Sequence, residues 1–398
     1  MYQVWGLASL WLGLALIATL FSIWFGIATA LSEIVVGTVA QLFIGAALGA
    51  TLSANEPWIK FLSGTGAIVL TFLAGAELDP TVFKAKWKEA GSIGFISFLA
   101  PFLGCTAVAY YLLGWSVKAS WLTGVALSTT SVAVVYAVML ELGLNKTDFG
   151  KAILAACFIT DLGTVISLGL IFAPFSFRTV IFVVASIVIF VILPYLTPRF
   201  FKKYGGRPSE LETKYLLLIL FGLGALASWS DSEAVLPAYI VGMTLAGSVG
   251  KDHVLIRRLR TLTFGLLTPF YFIRAGSFVS LPAIVGAPIA LLVLFSAKMI
   301  TKFVGVYPAT KHYKYDHKEG MYTTLLMSTG LTFGSIAALF GLAHNIIDQQ
   351  QYSLLIVTVI ASAVIPTLIA NAFFIPKYLL PKKKAEVAAE TAAAAGES

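Results

Sequence analysis

Long apolar stretches separated by short polar connections set the pattern of this chain from end to end. Thirteen such stretches are read, at about 4–27, 33–51, 57–77, 90–114, 120–140, 149–173, 178–197, 214–230, 234–248, 262–279, 283–305, 320–343 and 352–376. Roughly 20 helical apolar residues cross a bilayer core, so each stretch predicts a transmembrane helix. No connection is long enough for a folded soluble domain. The first stretch lacks a basic start and is long for a signal-peptide core, so it is read as a true helix. The expected fold class is an all-α polytopic membrane protein of about 13 transmembrane helices. Residues 1–380 form the membrane unit, and 381–398, Ala/Glu-rich from Ala385 to Ser398, form a disordered cytoplasmic tail.

Composition sharpens this picture. The 398 residues are 59% hydrophobic and 12% charged, against about 25% charged in soluble domains. The net charge of +8 would suit a nucleic-acid partner, but its distribution argues for a bilayer and against nucleic acid. Basic residues follow span three (Lys84, Lys86, Lys88), span seven (Arg199, Lys202, Lys203, Arg207), span nine (Lys251, Arg257, Arg258, Arg260) and span eleven (Lys311, Lys314, Lys318). They end with Lys382, Lys383 and Lys384. The connection after span five is weaker, and even-numbered connections carry little beyond Lys118 and Arg178. The positive-inside rule then sets the amino terminus outside and the carboxyl terminus in the cytoplasm, with a plasma membrane as the expected location. Cys105 and Cys157 both fall in apolar stretches, which implies no disulfide framework. No cofactor is expected.

Two spans are chemically unusual at matching places. Span five contains Ser128-Thr129-Thr130-Ser131, and span twelve contains Ser328-Thr329-Gly330-Leu331-Thr332. If spans 1–6 repeat as 8–13 with one linking span, the halves have opposite orientation and these two spans correspond. Interrupted segments at matched positions of inverted halves point to a transporter's ion site, where unwound carbonyls meet half-helix dipoles. The plainer alternative is that these hydroxyls bond back to their own helices or join neighbours.

Charges inside the apolar stretches carry the candidate chemistry. Asp161 lies in Phe158-Ile159-Thr160-Asp161-Leu162-Gly163 of span six. A carboxylate there must face protein or water rather than lipid. With Thr160 and nearby carbonyls it offers hard oxygen ligands that suit Na⁺, K⁺ or H⁺; the alternative is a structural acid neutralised by a basic partner. Lys298 of span eleven either compensates charge at the site or anchors its helix. Lys302, one turn nearer the cytoplasm, is expected to snorkel. Arg274 of span ten needs a partner, with Glu77 and Asp231 or Glu233 as candidates, and is read as structural. The histidines, His253, His312, His317 and His344, lie in or near loops; with no paired catalytic groups, an enzyme is not expected.

Several segments together resemble the cation:proton antiporter-2 superfamily, the NapA-type and Kef-type sodium or potassium/proton exchangers. They are Glu33-Ile34-Val35-Val36-Gly37-Thr38-Val39-Ala40, Phe72-Leu73-Ala74-Gly75-Ala76-Glu77-Leu78-Asp79, Ala126-Leu127-Ser128-Thr129-Thr130-Ser131-Val132 and Leu236-Pro237-Ala238-Tyr239-Ile240-Val241-Gly242. The resemblance covers nearly the whole chain. It implies that Asp161 is the ion- and proton-binding acid, that Thr129 and Thr130 lie in an unwound crossing helix, and that Lys298 pairs with the acid. It also implies a core bundle (about 90–173 and 283–376) moving against scaffold helices (about 1–77 and 178–279), and a homodimer. Two positions depart from the pattern. Thr160 stands where the family often has a first acid, and Thr329-Gly330-Leu331 replaces its charged span-twelve motif. No nucleotide-binding domain of the Kef type follows the spans, so regulation by that route is not expected. The expected function is monovalent cation/proton antiport at Asp161, by an elevator motion. The alternatives are a sodium-coupled symporter of an organic solute and, from another class, a cation channel.

Overall fold

The computed structural model describes residues 2–25, 28–48, 52–76, 86–142, 144, 147–172, 176–206, 209–230, 232, 234–250 and 252–379. These residues build an all-helical membrane protein. In chain order the helices are α1 (Tyr2–Phe25), α2 (Thr29–Leu48), α3 (Pro57–Ala76), α4 (Trp87–Tyr111), α5 (Val117–Ser128) and α6 (Val132–Glu141). There follow α7 (Asp148–Ile171), α8 (Phe177–Tyr204), α9 (Leu211–Trp229), α10 (Val235–Leu245), α11 (His253–Leu262) and α12 (Thr268–Ser277). The chain continues through α13 (Leu281–Gly286), α14 (Pro288–His312), α15 (His317–Met327), α16 (Thr332–Ala343) and α17 (Gln349–Ile369). Nine helical segments among the described residues are long and apolar enough to cross a bilayer. Other expected crossings are shorter or divided.

Side-chain caps open several of the helices. The side chains of Ser116, Thr147 and Ser176 each accept a hydrogen bond from a first-turn backbone N–H of the helix that follows. Asp316 and Asp348 form reciprocal capping boxes with Glu319 and Gln351. Each of these satisfies donors that a helix leaves open at its start. The Asp316 carboxyl is held below the usual carboxylate range, first by the Tyr378 hydroxyl and then by the Lys318 N–H.

Three boundaries differ from the apolar pattern. Span eleven begins at Pro288 rather than 283, because the short α13 takes the preceding residues, and it runs on to His312. Span ten is assembled from an amphipathic helix, α11, a π turn over Thr263–Leu267, and α12. Spans five and twelve are each two half-helices with a non-helical break between. The expected disordered tail at 381–398, Glu77, Asp231 and Glu233 all lie outside the described residues.

Contacts fall into two sets. In one, α4 packs on α5, α7 and α14, and α16 packs on α5 and α17; in the other, α3 packs on α10 and α2 on α12. Glycine allows the closest approaches in the second set. Gly75 lies against Tyr239 O, and Gly242 against Phe72 O, so a side chain at either would meet backbone. Replacing Gly75 by Val is expected to lower stability by about 1–3 kcal/mol through overpacking, measured as a fall in melting temperature in detergent.

The long helices of the two halves keep one register. Helices α4 and α14 have the same length and start 201 positions apart, at Trp87 and Pro288. Helices α7 and α17 start at the same offset, at Asp148 and Gln349. Contacts obey it too. Gly104 abuts Thr301 where Gly305 abuts Ala100, and Gly75 abuts Tyr239 where Gly276 abuts Thr38. Adding the offset to one partner and subtracting it from the other turns each contact into its mate. That is the signature of a two-fold axis relating the two halves.

Candidate functional site

The two breaks meet. Helix α5 ends at Ser128 and α6 begins at Val132; α15 ends at Met327 and α16 begins at Thr332. Across the gap Ser131 N–H donates to Thr329 O at 3.0 Å, and Thr130 Oγ1 donates to Met327 O at 2.8 Å. Each break therefore supplies the other with backbone partners that its own helix has given up. The hydroxyls of Ser128, Thr129, Ser328 and Thr329 bond back to carbonyls of their own helices, those of Val125, Ala126, Thr324 and Leu326. Thr332 opens α16 and accepts the Ser335 hydroxyl at its carbonyl. Local satisfaction and crossing coexist, so the plainer reading of the hydroxyls is true of some of them and the transporter geometry of others.

Two buried lysines divide the crossing between them. Lys302 Nζ donates to Ser128 O at 2.9 Å, Ser97 Oγ at 2.9 Å and Thr130 Oγ1 at 3.1 Å. The α5 carbonyl end, where a helix dipole is negative, thus receives an amino group directly. The expectation that Lys302 snorkels is corrected here: it is fully buried, because three oxygens hold its head more effectively than the distant aqueous surface. Lys298 serves the second break. Its Nζ donates to Ser362 Oγ at 2.9 Å and lies against Gly330, which also touches Thr129 Oγ1.

Asp161 is in α7, and α7 packs against all four half-helices, α5, α6, α15 and α16. The residue is only 1% exposed. Its Oδ1 is buried with no hydrogen-bond partner. Among the described residues no basic nitrogen is within 4.0 Å of its carboxylate, the two ion pairs being Lys86–Glu89 and Arg258–Glu210. Lys302 is the cation within electrostatic range. A buried carboxylate oxygen without a donor is costly and is the arrangement a visiting cation or proton satisfies. One turn earlier, Cys157 Sγ approaches Met327 Sδ at 3.6 Å, and the Tyr239 hydroxyl from α10 donates to Phe158 O at 3.0 Å. Both cysteines are free.

The remaining residues singled out from sequence go elsewhere. Thr160 Oγ1 bonds Ala156 O and Gly94 O, both at 3.1 Å, so its hydroxyl faces α4. Lys298 bonds Ser362 rather than the acid. Arg274 donates from Nε to Ala54 O at 2.9 Å and stacks over Phe278; the acids expected as its partners lie outside the described residues. Ser97 and Ser362 escaped notice, being single serines in apolar spans. The offset of the repeat is the signal that finds Ser362, since it maps Asp161 onto that position.

A family model described as sodium/hydrogen exchanger, transmembrane, matches residues 12–375. The chain belongs to the transmembrane sodium/hydrogen exchanger family. Among its relatives, the probable Na(+)/H(+) antiporter 3 of Methanocaldococcus jannaschii is 25% identical over 85% of this chain and 89% of that protein. The Na(+)/H(+) antiporter of Enterococcus hirae is 25% identical over 84% and 91%. The glutathione-regulated potassium-efflux protein KefC of Cronobacter sakazakii is 23% identical over 79% of this chain, which spans 54% of that protein. The exchanger's fold is similar to that of the sodium proton antiporter MjNhaP1 from Methanocaldococcus jannaschii, with TM-score 0.69 and 16% identity over 94% of this chain and 99% of the other. These relatives are transporters, not enzymes.

At the second break Gly330 has no room for a side chain. A Cβ there would run into Lys298 Nζ and Thr129 Oγ1. Gly330→Val is expected to cost about 1–3 kcal/mol from overpacking and to slow transport, read as melting temperature and exchange rate on one preparation.

Proposed function

We propose that this exchanger trades Na⁺ or K⁺ for H⁺ across a plasma membrane, with cation and proton alternately occupying Asp161. The observation that carries the reading is the unpartnered, buried Oδ1 of Asp161 in a helix packed on both broken spans. An unscreened carboxylate oxygen is a hard ligand for an alkali cation and a base for a proton. The carbonyls and hydroxyl oxygens around 128–131 and 328–332 are the remaining oxygens within the crossing, with Thr129 and Thr130 as first choices; the Thr160 hydroxyl is turned to Gly94 O of α4 instead. Lys302 balances the charge of the acid when the ion has left.

The core bundle, about 90–173 and 283–376, moves as an elevator against the scaffold, about 1–77 and 178–279, and turns Asp161 from one side to the other. The scaffold forms a homodimer, and the amino terminus is outside with the carboxyl terminus in the cytoplasm. Light scattering in detergent tests the dimer; labelling of single cysteines at each terminus tests the orientation. A sodium-coupled symporter wants a roomy pocket beside the ion, whereas Asp161 is enclosed by the packing of α4, α5 and α7.

The deciding experiment is exchange in proteoliposomes under clamped voltage, with Li⁺, Na⁺, K⁺ and Rb⁺ supplied in turn. Competition predicts a pH profile with a definite sign. As pH falls, protons hold the carboxylate for a larger share of the time and cation uptake slows, and raising the cation concentration recovers the rate. A flat profile, insensitive to cation concentration, sinks the shared site.

A further inference from the structure

The register of the long helices assigns mates to the acid and to Ser97 beside the crossing. Asp161 of α7 maps onto Ser362 of α17, and Ser97 of α4 maps onto Lys298 of α14. The second half thus has a hydroxyl where the first has its acid, and an amine where the first has a hydroxyl. Both Ser362 and Lys298 are fully buried. The amine does not turn towards Asp161. It donates to Ser362 at 2.9 Å and fills the space over Gly330 of the second break. The Ser362 hydroxyl donates its hydrogen bond to Val359 O at 2.8 Å, so its oxygen is free to accept from Lys298.

We infer that the amino group of Lys298 occupies the symmetry mate of the cation seat and closes the second half of the repeat to a transported ion. The exchanger then loads one cation per chain, and Lys298 is a positioning residue that sets this number. A lysine head is compact, donates in several directions and is tethered by its own stem, so it replaces an alkali ion without leaving. The inference rests on Asp161 being the seat in the first half.

The test uses purified full-length chain, radiolabelled Na⁺ binding and melting temperature in Na⁺ against choline. The native chain is expected to bind one Na⁺ and to be stabilised by it, and Asp161→Asn to bind none. Failure of that pair alone would remove the Asp161 reading, before the second half is examined. With Asp161→Asn present throughout, Ser362→Asp is expected to bind no Na⁺ and to keep the melting temperature, because the new acid meets Lys298. Adding Lys298→Met to that pair is expected to restore binding of one Na⁺ per chain and a rise of several degrees in Na⁺. A folded triple variant that binds no Na⁺ overturns the inference. So does a triple variant that folds in no alkali chloride although Asp161→Asn/Lys298→Met folds. Collapse of Asp161→Asn/Ser362→Asp, in which Lys298 is intact, overturns it independently.

Discussion

Replacing Asp161 by Asn is expected to abolish cation/proton exchange and leave the fold standing. The amide is nearly the shape of the carboxyl group but neither binds a proton in this pH range nor attracts an alkali cation with a full charge. Stability should hold or rise. In the native chain Oδ1 is buried without a donor, an arrangement that costs free energy in the absence of its ion. The measurement is a pair: uptake of labelled cation by proteoliposomes driven by a pH gradient, and the melting temperature of the same preparation. Uptake should fall to that of empty liposomes. Exchange at the native rate would end the assignment of the seat to this residue.

Lys302→Met carries the second large effect, and its sign on stability is opposite. Met keeps the length and removes the donors. Ser128 O, Ser97 Oγ and Thr130 Oγ1 then lose the group that bridges them. Leaving a buried acceptor without a partner costs about 1–3 kcal/mol, so a clear drop in melting temperature is expected. Exchange should fall at least about tenfold, because the lost donor spans α4, the α5 end and the break itself, and a barrier change of about 1.4 kcal/mol suffices for that factor. Lys302→Arg is expected to recover part of the stability and less of the rate, since a planar guanidinium does not match three oxygens set for an ammonium. A Lys302→Met chain with native melting temperature and native exchange would show that the snorkelling expectation had been right after all.

The two lysines show how far a linear reading reaches. Lys298 and Lys302 are one helical turn apart, and depth ranked Lys298 as the inner one and Lys302 as the one to snorkel. In the folded chain both are buried, and the outer one reaches the acid's side of the crossing. Depth along a helix says nothing about which neighbouring helix offers oxygen. That is decided by α4 and α5 for Lys302 and by α17 for Lys298.

What was readable without coordinates is what lipid and local chemistry impose on a chain wherever it lies. Apolar runs of membrane length, capping residues at the helix starts, hydroxyl-rich interruptions in spans five and twelve, and an acid that hydrocarbon rejects all follow from the residues and their immediate neighbours. Those constraints were enough for an all-helical membrane transporter and for naming Asp161 as its candidate seat. Tertiary structure alone decided that the two interruptions bond to each other, that Thr160 turns to Gly94, that each break has its own lysine, and that Asp161 keeps an oxygen unpartnered. Such facts depend on which helices face one another, and in a bilayer nearly every helix is apolar on all sides, so hydrophobicity does not mark the facing side.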